Sequence, residues 1–194
     1  MPKIAVLTND LQYELVEKNQ ERINAVNEVK DTFCNFLSEI RAKGHIVIHL
    51  QLINHEDDPN AERYDGYLPV QKGTRGAEIL EEFVHESDII MEKNKDSGFY
   101  ETDLDEVLKQ HGVDTVIVTG MQTQICVQTT AADAFFRGYN IWVPEDGVVS
   151  ANPDDKKCSL DWLGGYCATI SSTDEIISVL NEKNYLPRKE IYIP

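Results

Sequence analysis

Thr115-Val-Ile-Val-Thr-Gly120-Met-Gln-Thr-Gln-Ile-Cys126-Val-Gln-Thr-Thr-Ala-Ala-Asp-Ala134 is the stretch on which the fold turns. Val116 to Val118 is a β-branched apolar run, the composition of a strand buried on both faces. Gly120 breaks the run. From Gln124 onward Val127, Ala131 and Ala134 recur at three- and four-residue spacing, which marks one face of a helix. The stretch reads strand, tight turn, helix, with Cys126 in the turn or the first helical turn. A helix N-terminus carries unpaired N–H groups and a partial positive charge, and both favour a thiolate. The same N–H groups can hold an oxyanion that develops on a carbonyl. Packing as a small buried hydrophobe is the other reading open to a lone cysteine.

Outward from that stretch the chain alternates. Lys3–Thr8, Ile46–Leu52, Asp88–Met91, Asn140–Pro144 and Cys167–Ile170 are short apolar runs that read as strands. A long amphipathic helix is expected over about 20–42, with Ile23, Val26, Phe33, Phe36, Leu37 and Ile40 on one face. Further helices are expected over 77–84, after Thr102-Asp-Leu-Asp105, from Pro153 to Trp162, and after the cap Ser172-Thr-Asp-Glu175. Six strands alternating with helices predict a three-layer α/β/α fold around an open six-stranded parallel sheet, with right-handed crossovers. One domain spans residues 1–194, ending in an apolar tail from about 185. The segment 54–76, rich in His, Asp, Asn, Pro and Gly, reads as a wall or lid of an active site.

In such sheets ligands bind beyond the carboxyl ends of the strands. Asp10 follows the first strand, Lys93 the third and Cys126 the fourth. Alone, these are a turn aspartate, a surface lysine and a packed thiol. Together they put an acid, a cation and a thiol on one rim.

Composition narrows the function class. The 194 residues hold 18 Lys and Arg against 34 Asp and Glu, a net charge of −16. That balance lacks the basic footprint of a nucleic-acid binder. Neither a G-x-G-x-x-G fingerprint nor a P-loop occurs. No apolar run approaches the ~20 residues of a membrane span, so no membrane partner is expected. Met1-Pro-Lys-Ile leads straight into a strand with no secretory pattern. Cys34, Cys126, Cys158 and Cys167 form no C-x-x-C pair. Reduced thiols and a cytoplasmic location are expected. His49, His55, Asp57 and Asp58 fit no strong metal template, and no metal is expected.

Val118-Thr-Gly-Met-Gln-Thr-Gln-Ile-Cys126-Val-Gln-Thr-Thr-Ala-Ala-Asp-Ala, Lys93 with Ser97-Gly-Phe99, and Asp10-Leu-Gln12 together resemble the isochorismatase-like cysteine hydrolase family. The resemblance runs over nearly the whole chain, to about Ile177. It implies an isochorismatase-like, Rossmann-like fold and a catalytic triad of Asp10, Lys93 and Cys126. Lys93 rather than Lys95 stands four residues before Ser97, as the family pattern has it. A cis peptide is implied at Met121–Gln122, with the Gln122 and Cys126 N–H groups facing the oxyanion. Lys93 is expected to lower the thiol pKa from about 8.5, and Asp10 to accept its proton.

The implied activity is hydrolysis of a C–N amide or ureido bond of a small molecule, through a Cys126 thioester, with loss of ammonia or an amine. Retention of Cys126 separates it from the branch acting on the isochorismate vinyl ether. Vinyl-ether hydrolysis with Asp10 as acid, and a thiol used for redox or ligand binding, remain alternatives. Asn54-His55-Glu56-Asp57 does not reproduce the metal loop of the nicotinamidase branch, so no zinc or other cofactor is implied. Tyr13-Glu-Leu15 departs from the usual Asn-Asp-Phe and alters the pocket wall. Gly73 and Gly76 fit the family's substrate-side loop. Gln12, Leu15, Tyr64, Tyr67, Phe99 and Trp142 are the candidates to line the pocket. A homo-oligomer, dimer or tetramer, is expected by the same likeness.

Overall fold

The computed structural model describes residues 3–59, 61–63 and 66–190. The strands among them are β1 (Lys3–Asn9), β2 (Ile46–Leu52), β3 (Ile89–Lys93), β4 (Val113–Met121), β5 (Asn140–Pro144), β6 (Val148–Val149) and β7 (Thr169–Ser171). The helices are α1 (Tyr13–Val16), α2 (Gln20–Ala42), α3 (Leu104–Gln110), α4 (Gln128–Phe136), α5 (Pro153–Tyr166) and α6 (Thr173–Lys183). The main sheet runs β3-β2-β1-β4-β5-β7, and β6 pairs with β4. All its pairings are parallel. The six strands read from the sequence make the main path, and the two-residue β6 adds a seventh.

Side-chain alternation along the strands builds the three layers. Ala5, Leu7, Val116, Val118, Ile141 and Val143 face one core, closed by α3, α4 and α5. Ile4, Val6, Ile117 and Trp142 face the other, closed by Phe33, Phe36, Leu37 and Ile40 of α2 and Ile176 and Leu180 of α6. Strands covered on both faces need apolar residues at every position, which is why they lack a polar alternation.

Most boundaries follow local chemistry. The Asn19 side chain accepts from Arg22 N at the start of α2, and Ser172 and Glu175 close a capping box on α6. Asn152 caps α5 with Pro153 in its first turn, but that helix runs on to Tyr166, past Trp162. Four expectations are corrected. Residues 77–84 form no α-helix; separate 3-10 turns occupy Arg75–Ala77 and Glu81–Phe83. Buried Ala77 and Phe83, six residues apart, would lie about 120° apart around a single α-helix, so no one face of it could bury both. Asp103 takes the N-cap position of α3 with no side-chain cap bond, one residue past Thr102, whose hydroxyl accepts from Leu104 N at 3.3 Å. Cys167 caps α5 instead of opening β7. Gly120 does not end β4, which continues through it to Met121.

Gly120 has its own reason to be glycine. Its φ is +96°, and a Cβ there would lie 2.3 Å from Asn9 O and 2.5 Å from Asn9 N. Only a residue without a side chain lets β4 come this close to β1. The strand order reverses between those two strands, so the crevice of the fold opens there.

Candidate active site

β1 ends at Asn9, and the next residue turns sharply: Asp10 has φ +54°, a left-handed conformation that aspartate tolerates better than most residues. Its N–H donates to Leu50 O at 3.1 Å, and its carbonyl accepts from Gln12 N at 2.8 Å. Asn9 is buried and fixed on both sides. Its Nδ2 donates to Thr119 O, and its Oδ1 accepts from Thr130 Oγ1, both at 3.1 Å. Thr130 lies four residues after Cys126, hence on the same helical side.

β3 delivers Lys93 as its last residue, not just past its end as the sequence suggested. The ammonium lies 3.0 Å from Asp10 Oδ1 and 3.1 Å from Oδ2, donating to the latter. It also meets the carbonyls of Lys95 at 3.0 Å and Asp96 at 3.3 Å. Lys95 points elsewhere and pairs with Asp58. Lys93 and Asp10 are both buried, at 2% and 3% exposure, so neither charge could persist there alone. Asp10 Oδ1 receives no hydrogen bond among the described residues, which leaves a lone pair for a further proton.

Cys126 sits in a wide π-type turn, Thr123–Val127, that runs directly into α4. Ser159 Oγ on α5 donates to Thr123 O at 2.9 Å and pins the turn. Ala151 N donates to Gln122 Oε1 at 3.2 Å. The Met121–Gln122 peptide is cis, as the resemblance implied. The thiol, 6% exposed, lies 3.7 Å from Asp96 Oδ1 and close enough to Asp10 for each to act on the other's titration. The three side chains that the sequence placed on one rim therefore meet at one mouth of the sheet.

The electrostatics differ from the expected thiolate. Burial first, then the Asp10 charge, pushes the Cys126 thiol well above the ordinary thiol range; Lys93 opposes this and loses. Burial likewise raises the Asp10 carboxyl, with Lys93 and the thiol pulling it back. Burial is the largest influence on Lys93 and acts to lower it, but the charge and hydrogen bond of Asp10, with Cys126 and Asp96, together hold the ammonium above its ordinary range. The resting site is a neutral thiol beside a carboxylate of enhanced basicity, held by a buried cation. Such a set can pass a proton from sulfur to carboxylate as the sulfur attacks, without a standing thiolate.

Residues 4–175 match the model of the isochorismatase domain. The chain belongs to the isochorismatase family. An isochorismatase family protein of Desulfovibrio vulgaris is similar in structure, with a TM-score of 0.83 at 25% identity, covering 93% of this chain and 100% of that one. N-carbamoylsarcosine amidase from Thermoplasma acidophilum gives 0.76 at 31% identity, over 89% and 97% of the two chains. Streptothricin hydrolase of Streptomyces noursei is 30% identical over 148 residues, 75% of this chain and 54% of that protein. The chain spans about half the length of the curated relatives it matches.

This isochorismatase-family site divides the pocket candidates. Leu15 and Tyr67 line a cleft of about 830 Å3 beside α1, with Tyr13, Arg63 and Arg75. Tyr64 lies outside the described residues. Gln12 is not a free wall residue: its Nε2 donates to the carbonyls of Leu52 and Ala77 at 2.8 Å, and its Oε1 accepts from Leu52 N at 2.8 Å. Its amide braces the loop behind Asp10. Phe99 is core, stacked on Tyr139 with centroids 6.1 Å apart. Trp142 is core on the α2–α6 side, its Nε1 donating to Pro187 O at 3.1 Å. Both aromatic residues sit where strand and helix packing needs bulk, which composition alone does not distinguish from a pocket.

The site also holds residues the sequence reading passed over. Asn9 and Thr130 lock the β1 end to α4, and Ser97 Oγ donates to Asp133 Oδ2 at 2.7 Å to lock the lysine loop to the same helix. Asp96 reaches the sulfur itself. For Thr130 the signal was its i+4 spacing from Cys126; for Asp96 there was none. His49, which invited a metal reading, is buried between Thr8 Oγ1 at 2.6 Å and Asp88 Oδ2 at 3.0 Å. Asp58 is bound to Lys95.

Proposed function

We propose that this protein is a cysteine-dependent amidohydrolase that cleaves a C–N amide or ureido bond of a small molecule. The observation that carries the reading is the buried Asp10–Lys93 pair beside the Cys126 thiol at the switch point of the sheet. Its likeness to N-carbamoylsarcosine amidase and streptothricin hydrolase, which are named for hydrolytic chemistry, supports it.

In this reading Asp10 takes the thiol proton as Cys126 Sγ bonds to the substrate carbonyl carbon. The carbonyl π electrons move to oxygen, where the Gln122 and Cys126 N–H groups are the assigned donors. Collapse of the tetrahedral species breaks the C–N bond, and Asp10 returns the proton to the departing nitrogen. Water then adds to the thioester, with Asp10 again as base, and the thiol is regenerated. Lys93 remains charged throughout and fixes the carboxylate.

The test is incubation with a panel of small amides and ureides, with ammonia release and the mass of the Cys126 peptide as readouts. The expected result is a covalent acyl adduct on Cys126 and turnover that falls at least about a thousandfold in Cys126→Ala. Turnover that survives in Cys126→Ala would refute the reading.

A further inference from the structure

Asp96 is an exposed carboxylate at the mouth of the site, and its Oδ1 is 3.7 Å from Cys126 Sγ. No ion pair engages it among the described residues. It also lines a cleft of about 280 Å3 with Asn54, Asp58, Arg63, Asn94 and Lys95. Of the cations there, Lys95 is committed to Asp58 and to Asn94 Oδ1. Arg63 is exposed and shared with the larger cleft. The Lys93 charge is absorbed by Asp10. The charge left uncompensated next to the sulfur is therefore negative.

We propose that Asp96 makes this mouth selective for a positively charged nitrogen, so that the substrate is an amide or ureide carrying an ammonium, amidinium or guanidinium group within two or three bonds of the carbonyl under attack. This rests on the amidohydrolase reading for the word substrate, but the charge preference stands on the geometry alone. A carbonyl carbon poised for attack lies about 3–3.5 Å from the sulfur. Its near substituents then fall within hydrogen-bond reach of a carboxylate that touches the same sulfur. A cation there gains a charge-assisted bond. It also neutralises one of the charges that hold the proton on Cys126, so binding the right substrate favours its attack.

The test uses methanethiosulfonate reagents of matched chain length, one bearing a primary ammonium and one a sulfonate, on the intact protein. Labelling of Cys126 is followed by peptide mass, with exposed Cys158 as an internal reference. The cationic reagent is expected to label Cys126 at least about tenfold faster than the anionic one, after normalising to Cys158. Asp96→Asn should remove most of that ratio, and Glu92→Gln, an exposed carboxylate on β3 paired with Lys72, should leave it intact. A ratio near one, a ratio unmoved by Asp96→Asn, or an equal response to Glu92→Gln overturns the proposal. Because labelling needs no turnover, this result is separate from the failure of amide hydrolysis. Where amides are cleaved, glycinamide should exceed propionamide in kcat/KM for the native protein, and Asp96→Asn should level the two.

Discussion

Replacing Lys93 with Met keeps the length of the buried stem and removes the charge. In the native protein the ammonium sits 3.0 and 3.1 Å from the two oxygens of Asp10 and reaches two backbone carbonyls. Taking away one member of a buried pair typically costs about 3–5 kcal/mol, because the other charge is left without compensation. Here the remaining group can escape by protonation. Asp10 is already raised by burial against the pull of Lys93, so without that pull it rises further. A carboxyl whose folded pKa lies above its unfolded value adds stability below the unfolded pKa and loses it as pH climbs through the folded one. The cost of Lys93→Met should therefore be small near pH 4–5, about 1 kcal/mol for lost hydrogen bonds. It should grow to about 3–5 kcal/mol by pH 8. One proton limits the slope to about 1.4 kcal/mol per pH unit.

Urea denaturation of both proteins at pH 5 and pH 8 measures this directly. With an m-value of about 2 kcal/mol/M, the midpoint at pH 8 should drop by roughly 2 M and at pH 5 by about 0.5 M. If the proposed amidohydrolase mechanism holds, the same variant should lose amide turnover even where it is folded, since a protonated Asp10 cannot accept the thiol proton. A stability loss equal at both pH values would show that Asp10 does not titrate against Lys93, and would sink the account of the resting site given above.

Further outcomes follow from single contacts. Gly120→Ala puts a Cβ 2.3 Å from a backbone oxygen of β1 at a φ of +96°, and overpacking plus a left-handed alanine should cost about 2–5 kcal/mol in urea denaturation. Because the displaced residue is Asn9, labelling of Cys126 should change too, even in the folded fraction. Asp88 accepts from Arg41 Nε and Nη2 at 2.9 and 2.6 Å, from His85 N at 2.9 Å, and lies 3.0 Å from His49 Nε2. Burial works against its charge, yet the His49, Arg41 and His85 hydrogen bonds win and bring it down to about 2. With its folded pKa depressed, its contribution is present above the ordinary carboxylate value of 3.8 and lost as pH falls toward about 2. Asp88→Asn should thus lower stability at pH 7 by about 2–3 kcal/mol, and the gap to the native protein should narrow between pH 4 and pH 2, as read by acid titration of the far-UV signal.

The fold was legible because its strands are covered on both faces and its helices on one. Those two demands write different periods into the chain, and α2 emerges at Gln20–Ala42 with the expected buried face of Val26, Phe33, Phe36, Leu37 and Ile40. Where neither period operates, the reading failed. Residues 75–83 hold two short turns with one buried anchor each, Ala77 and Phe83, and a single anchor carries no periodic signal. Gly120 reads as a terminator because a glycine that permits close strand approach and one that stops a strand look the same in the chain; only the position of Asn9 tells them apart.

The site was legible as residue types at strand ends, and less so as chemistry. Asp10, Lys93 and Cys126 could be aligned on one rim because parallel topology sends every strand's carboxyl end to the same edge. What the rim does to a thiol depends on burial, which no local pattern records. A helix N-terminus and a lysine argue for a thiolate, whereas a thiol 6% exposed beside the carboxylates of Asp10 and Asp96 keeps its proton. Under the proposed mechanism the nucleophile is generated as the substrate arrives, with Asp10 receiving the proton while the carbon–sulfur bond forms. Asp96 escaped notice for a related reason: it belongs to the loop after β3, adjacent in sequence to the lysine and remote from the cysteine, and only the packing of α4 through Thr130 and Asp133 brings it to the sulfur.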